Sequence, residues 1–340
     1  MAFDRWSDGV PVSELEDVLL PGTLLKGGQY RIRSFLNAGG LGVAYLAQDR
    51  NLRDIVLKEC FVPEFCRRSQ GRVIPRSEAH RQNLRKVVTS FLDEATLLSG
   101  LSHPNVIRAH EAFEENDTAY VVLDFVKGRD LQETIDDPQA RLAPADLVGI
   151  AQRLISALAH VHGRGLLHCD ISPDNVCLGP RNEPVLIDFG SARPVVNGVA
   201  LPHDGFSMVK DGYSPPEFYT TTADRVLQSD VYALGATLHH AVSGVAPVDS
   251  QTRLTALVDG RADPLLPLRG RVAGFPAAFL ASVDRAMAVD PGHRFASAKD
   301  WLRALAQPAP EIRKDMHLPG AVIRLPEREA AAQVARAFRR

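Results

Sequence analysis

In the segment His168-Cys169-Asp170-Ile171-Ser172-Pro173-Asp174-Asn175 an aspartate, Asp170, stands five residues ahead of an asparagine. Thirteen residues further on, Leu186-Ile187-Asp188-Phe189-Gly190 carries another aspartate. Carboxylate and amide-carbonyl oxygens are what a hard cation such as magnesium prefers, and magnesium accompanies the β- and γ-phosphates of ATP. Asn175 and Asp188 supply that chemistry, and Asp170 is of the type that accepts or orients the proton of an attacking hydroxyl. Each residue also has a plainer role open to it. Asp188 suits a turn before Gly190, and Lys58, in Ile55-Val56-Leu57-Lys58, suits a solvated strand position.

Such residues need elements to hold them. The runs YRIRSFL, GVAYLAQD and DIVLKEC, from Tyr30 onward, alternate apolar and polar positions between Gly and Asp breaks, which predicts consecutive antiparallel strands. VIRAHEAFEEN and TAYVVLDFV extend the same sheet, with a helix between from Ser77, followed by Glu78, to Gly100. After Gly128 the period shifts to about 3.6: in LVGIAQRLISALAHVHGRG, Leu147, Ile150, Ala151, Leu154 and Leu158 share one face. A strand-rich part followed by a helix-rich part predicts two lobes with a ligand crevice between them. The expected organisation is an irregular lead-in over 1–27, an N-lobe over 28–127, a C-lobe over 128–306, and a tail over 307–340 that is either solvated or one short amphipathic helix.

The 340-residue chain is 45% hydrophobic, enough for a sizeable core, and its 39 basic and 41 acidic residues leave a net charge of −2. That balance gives no reason to expect nucleic acid or an anionic membrane as a partner. Cys60, Cys66, Cys169 and Cys177 have neither zinc-site spacing nor the density of a disulfide-stapled domain. With no membrane span and no secretory leader visible in the sequence, the expected location is cytoplasmic.

Taken in order, the motifs of residues 28–305 resemble those of the eukaryotic-type protein kinase family, and their wording resembles the bacterial serine/threonine kinases. The resemblance implies an α+β bilobal fold, with a small antiparallel N-lobe sheet carrying one main helix and a mainly helical C-lobe. It also implies transfer of the γ-phosphate of ATP, held with Mg2+, to a serine or threonine hydroxyl of a protein substrate. Lys58 then holds the α- and β-phosphates, Glu94 pairs with it, Asp170 is the catalytic aspartate, and Asn175 and Asp188 bind magnesium. The nucleotide is expected against Leu36, Asn37, Gly39, Gly40, Gly42, Ala44, Val56, Lys58 and Leu123, with Asp124 to Val126 as hinge and Cys177 beneath the base. Glu217, in Tyr213-Ser214-Pro215-Pro216-Glu217, is expected to pair with Arg294, and Asp230 is the buried-helix aspartate. His168 reads as structural.

The pattern is broken in three places. The phosphate-covering loop is Asn37-Ala38-Gly39-Gly40-Leu41-Gly42, where Asn37 replaces a glycine whose positive φ asparagine tolerates. Cys169 replaces an arginine that in many kinases pairs with a phosphorylated residue, which predicts that loop phosphorylation is not the main switch. Ser172 stands where a lysine usually meets the γ-phosphate, and Lys210, seven residues before Glu217, is the candidate replacement. The run between Cys60 and Phe91 is longer than the minimal pattern and rich in arginine. Over 67–86 it reads as a docking surface for an acidic partner, or as a solvated face and helix extension. Two other functions stay open: a pseudokinase acting as a nucleotide-binding regulatory or scaffold module, and a small-molecule phosphotransferase.

Overall fold

The computed structural model describes residues 17–39, 42–196, 199–201, 209–220 and 223–306. Gly40, most of the lead-in and the tail with its expected helix lie outside the described residues. Two compact units emerge. One takes the chain up to Lys127 together with Ile187–Gly190; the other takes Gly128–Leu186 and the described residues after Gly190.

The first unit contains strands β1 (Leu24–Leu25), β2 (Tyr30–Gly39), β3 (Gly42–Asp49), β4 (Asp54–Cys60), β5 (Cys66–Ser69) and β6 (Arg72–Pro75), then helix α1 (Glu78–Ser99) and strands β7 (Ala109–Glu115) and β8 (Thr118–Asp124). Six of these strands form one antiparallel sheet in the order β1-β2-β3-β4-β8-β7. Alternation decides the faces: Tyr45 and Ala47 of β3 and Ile55, Leu57 and Glu59 of β4 are buried on the core side. Val56 and Lys58 therefore emerge on the other side, where Ala44 pairs with Lys58 and Val56 with Leu123. Helix α1 buries Leu84, Phe91, Ala95 and Leu98, at helical spacing, and packs on β7 and β8. Ser77 has the extended backbone of a cap, but its hydroxyl bonds His80 Nδ1 at 3.2 Å and not a helix N–H.

The arginine-rich run contains an element that its composition conceals. Strands β5 and β6 form a hairpin of their own, closed by Gln70 and Gly71, both at left-handed φ (50° and 81°). Much of its charge is taken up within the unit: Arg68 pairs with Glu59, Arg72 with Asp117, Arg76 with Asp17 and, in α1, Arg81 with Glu78. Arg67, Arg85 and Lys86 remain exposed.

The second unit begins with β9 (Arg129–Asp130), α2 (Leu131–Asp136), α3 (Pro144–Gly163), β10 (Leu166–Leu167), β11 (Val176–Leu178), β12 (Pro184–Leu186), β13 (Arg193–Val196) and β14 (Val199–Ala200). Helices α4 (Leu227–Ser243), α5 (Ser250–Val258), α6 (Ala277–Ala286) and α7 (Ala298–Ala306) complete it. Helix α3 buries its predicted apolar face, and α4 is buried along every residue from Ser229 to His240. Gly235 lets α4 lie close to α6, since a Cβ there would come within 3.0 Å of Ala286 Cβ. Two small antiparallel sheets, β12-β11-β9 and β10-β13-β14, frame the loop that carries Asp170. Among the described residues no helix is long and apolar enough to cross a membrane.

Candidate functional site

In the first unit Lys58, Glu94 and Asp188 come together. Lys58 Nζ donates to Asp188 Oδ1 at 2.6 Å. The Asp188 backbone is left-handed (φ 55°), and the Gly190 N–H turns back to the same carboxylate oxygen at 3.2 Å. A Cβ on Gly190 would lie 3.1 Å from Asp188 Oδ1, 3.4 Å from Lys58 Nζ and 3.8 Å from Glu94 Oε2, so a side chain here would press on the pair. Burial pushes the Glu94 carboxyl up to about 7, opposed by the charge of Lys58 and reinforced by that of Asp188. Phe189 is buried beside Phe91 and Leu98 in a small pocket that Leu123 also lines.

The expected nucleotide residues of this unit follow from the register. Ala44, Val56, Lys58 and Leu123 share one face, and Asn37 pairs with Ala44 beyond a bulge at Leu36. Asn37 keeps strand geometry, so the left-handed φ expected of it is not used; the bulge absorbs the irregularity instead. Gly39 pairs with Gly42, and a Cβ on Gly42 would sit 2.5 Å from the Glu59 carbonyl oxygen. Asp124 ends β8 and holds His110 Nε2 at 2.6 Å, and Val126 follows it in the chain.

In the second unit the Asp170 loop is fixed from below. Asp230, fully buried in α4, accepts the His168 N–H at 2.8 Å, the Cys169 N–H at 2.9 Å and His162 Nε2 at 3.0 Å. Burial alone would push this carboxyl up, but His162 and the backbone donors outweigh it and hold it below its ordinary value. The two adjacent donors are aligned because Cys169 adopts φ 64°, a left-handed conformation costly for a non-glycine residue. His168 is fully buried, in agreement with a structural role, and its Nδ1 accepts the Asp170 N–H at 3.3 Å.

Above this support the Asp170 carboxylate is gripped from two sides. Asn175 Nδ2 donates to Asp170 Oδ2 at 2.9 Å and to its carbonyl at 2.8 Å, while Lys210 Nζ lies 3.4 Å from Asp170 Oδ1. The same ammonium donates to Ser172 Oγ and Asp174 Oδ2, each at 2.8 Å. Lys210 thus occupies the side of the loop where Ser172 leaves room. Burial disfavours its charge, but Asp170 and Asp174 more than compensate and hold its pKa above the usual lysine range. Its backbone is anchored by a turn in which Ser214 N–H and Tyr213 N–H bond the Lys210 carbonyl. Gly212 permits that turn at φ 85°, where a Cβ would lie 2.9 Å from the Pro247 oxygen.

Glu217 meets Arg294 in a buried bidentate pair, with contacts of 2.7 and 3.1 Å, and Ser229 Oγ completes its shell at 2.8 Å. Cys177 sits on β11, its thiol pushed up to about 11, chiefly by burial. Two acidic residues escape sequence reasoning. Asp174 is the second anchor of Lys210, and nothing in its spacing marks it. Glu59 is a fully buried carboxylate that strand alternation does signal, because it falls in phase with Ile55 and Leu57.

The first unit thus sets a lysine–aspartate pair on a six-stranded antiparallel sheet, and the second a pinned Asp–Asn loop among helices. The family profile described as Protein kinase domain matches residues 64–271, more than half of the chain, and the chain belongs to that family. It is similar to the serine/threonine-protein kinase PrkC of Bacillus subtilis, with 28% identity over 275 residues, covering 80% of this chain and 39% of PrkC. Against the serine/threonine-protein kinase PknJ of Mycobacterium tuberculosis the identity is 28% over 312 residues, covering 86% and 50%. Of solved structures, "PpkA-294 apo form" superposes with a TM-score of 0.72 at 29% identity, covering 85% of this chain and 99% of that one. The chain spans about half or less of the length of these curated relatives.

Proposed function

We propose that the chain transfers the γ-phosphate of ATP, bound with magnesium, to a serine or threonine hydroxyl of a protein substrate. The observation that carries this reading is the double grip on Asp170: an amide from Asn175 and an ammonium from Lys210 hold one carboxylate on a loop pinned to Asp230. A carboxylate so oriented accepts or orients the proton of an incoming hydroxyl.

The residues present fit the cofactors. With Nδ2 committed to Asp170, Asn175 keeps its amide oxygen for a hard cation, and Asp188 offers a carboxylate. Magnesium, when bound, would neutralise charge on the phosphates. Lys58, with its side chain 15% exposed on the non-core face of the sheet, supplies an ammonium for phosphate oxygens. Lys210 supplies a second positive charge beside Asp170, where charge develops during transfer. The serine/threonine assignment rests on the relatives' names.

The test is incorporation of labelled phosphate from magnesium-ATP into the chain itself and into a generic protein acceptor, followed by phosphoamino-acid analysis. The Asp170→Ala variant should lose at least about a hundredfold. Equal incorporation by the variant would refute the mechanism, and phosphotyrosine as the product would refute the acceptor assignment. A wild-type chain that binds ATP but transfers nothing would favour the pseudokinase.

A further inference from the structure

The helix that pins the Asp170 loop also reaches the turn that carries Lys210. Ten residues after Asp230, about 15 Å along α4, His240 is 6% exposed and its Nδ1 lies 2.7 Å from the Tyr213 hydroxyl. The two rings stand 6.1 Å apart, tilted by 37°. Tyr213 packs against the cluster of Tyr232, Ala236 and Met287, so packing places its ring and the hydrogen bond fixes its tip. Its backbone N–H in turn donates to the Lys210 carbonyl at 3.0 Å. Burial pushes His240 below the usual histidine range, against the opposing charge of Asp136 in α2, so the ring is neutral at pH 7. Burial, followed by the charges of Asp174 and Asp136, pushes the Tyr213 phenol up to about 12, so it keeps its proton. The contact is a hydrogen bond between two neutral groups.

Lys210 depends on such an anchor. A lysine ends in a point charge on a flexible four-carbon stem, which loses rotamer freedom wherever its head is held. Its Nζ meets Ser172 Oγ and Asp174 Oδ2 at 2.8 Å each but stands 3.4 Å from Asp170 Oδ1. That longer separation is set by the elements carrying the two groups more than by their direct contact. On one side Asp230 holds the Asp170 loop. On the other the Tyr213 bond holds the Lys210 turn, which Ser250 Oγ of α5 also ties through the Ser214 carbonyl at 2.8 Å. We propose that His240 and Tyr213 are positioning residues that, through this turn, set the Lys210 ammonium against Asp170. The proposal rests on the reading of Asp170 and Lys210 as the transfer site and deepens it: a single helix fixes the carboxylate from Asp230 and the neighbouring charge from His240. Misplacing a group at a reacting centre by about 1 Å costs up to roughly a hundredfold in rate, and Tyr213 acts one bond away from the turn, so a loss of about tenfold is expected.

The experiment uses the full chain. Tyr213→Phe keeps the ring and removes only the hydroxyl; its kcat with magnesium-ATP should fall about tenfold, with the KM for ATP within about twofold of wild type. His240→Leu should behave alike, and His240→Asn, whose amide takes the place of Nδ1, should recover most of the loss. In a Lys210→Ala background the further change Tyr213→Phe should cost less than about twofold, because the group it positions is already gone. A bond that serves only the fold would lower the melting temperature and exact its full loss in that background too. A second reading needs no ATP: acetylation of Lys210 by an N-hydroxysuccinimide ester, followed by peptide mass spectrometry, should run about threefold faster or more in Tyr213→Phe, where the ammonium is less firmly held in its ion pairs. A wild-type chain that transfers no phosphate would refute the transfer reading, and the labelling would still decide the tether. Equal labelling of Lys210 in wild type and Tyr213→Phe, or a tenfold loss that persists without Lys210, overturns the proposal.

Discussion

Replacing Arg68 with methionine should destabilise the sheet unit severely, and the structure says by how much. Glu59 is fully buried and has three donors: Tyr45 Oη at 2.9 Å, Tyr120 Oη at 2.6 Å and Arg68 Nη2 at 2.6 Å. Only Arg68 carries a charge, and its side chain is 7% exposed. It also ties down the chain ahead of the sheet, through its N–H to Asp17 Oδ1 at 2.6 Å and its Nε to the Asp17 carbonyl at 2.7 Å. Removing one partner of a buried ion pair costs about 3–5 kcal/mol, because the other charge is left stranded. Two hydroxyl donors remain on Glu59, so the lower end, about 3 kcal/mol, is expected for Arg68→Met. The double variant Glu59→Gln, Arg68→Met leaves no stranded charge and should recover more than half of that loss. Urea unfolding of the four species of this cycle, followed by circular dichroism, gives the coupling free energy directly. A single-variant loss below about 1 kcal/mol, or a double variant equal to the sum of the singles, would show that the pair behaves as a surface ion pair and would refute the reasoning.

Lys210→Ala should lower kcat by about a hundredfold while the KM for ATP changes little, since the ammonium faces Asp170; equal losses in turnover and ATP affinity would count against its role in transfer. Glu94, at about 7 when folded, is protonated in the native chain and ionised in the unfolded one between about pH 4.5 and 7. It therefore lowers stability progressively as pH rises through that window, by up to roughly 3 kcal/mol. Equilibrium unfolding of the nucleotide-free chain across pH should show that slope, and Glu94→Gln should flatten it; a variant with the wild-type slope would contradict the assignment. Gly42→Ala should cost about 1–3 kcal/mol, because its Cβ would fall 2.5 Å from the Glu59 carbonyl oxygen. A thermal melt unchanged from wild type would show that the β2–β3 hairpin yields more easily than its geometry implies.

The strands from Tyr30 to Cys60 and the helix between Ser77 and Gly100 are legible because periodicity and punctuation agree there. The β5–β6 hairpin is not, because its arginines imitate a solvated run. Only the folded chain reveals that four of the run's charges meet carboxylates, two of them, Asp17 and Asp117, about fifty residues away in sequence. Lys210 is a similar case with the opposite outcome. The gap at Ser172 suggests that a cation is needed, and Lys210 is a nearby choice, but its second anchor on Asp174 appears only with the fold. Asn37 shows the limit of residue-type reasoning. Asparagine tolerates a left-handed backbone, yet a bulge one residue earlier removes the need for it.

The contact between Asp230 and the amides of His168 and Cys169 has a consequence for the way this chain opens. Those two N–H groups are sequestered by a buried carboxylate in the first turn of a helix, not by a neighbouring strand. Their protons can exchange with solvent only when that helix lets go, so their deuterium uptake should follow the slowest, global opening. Amides of the exposed Gln70-Gly71 turn should exchange early. The loop would then keep time with the buried helix α4, and any ligand that stabilises the helix would slow exchange at the loop by the same factor.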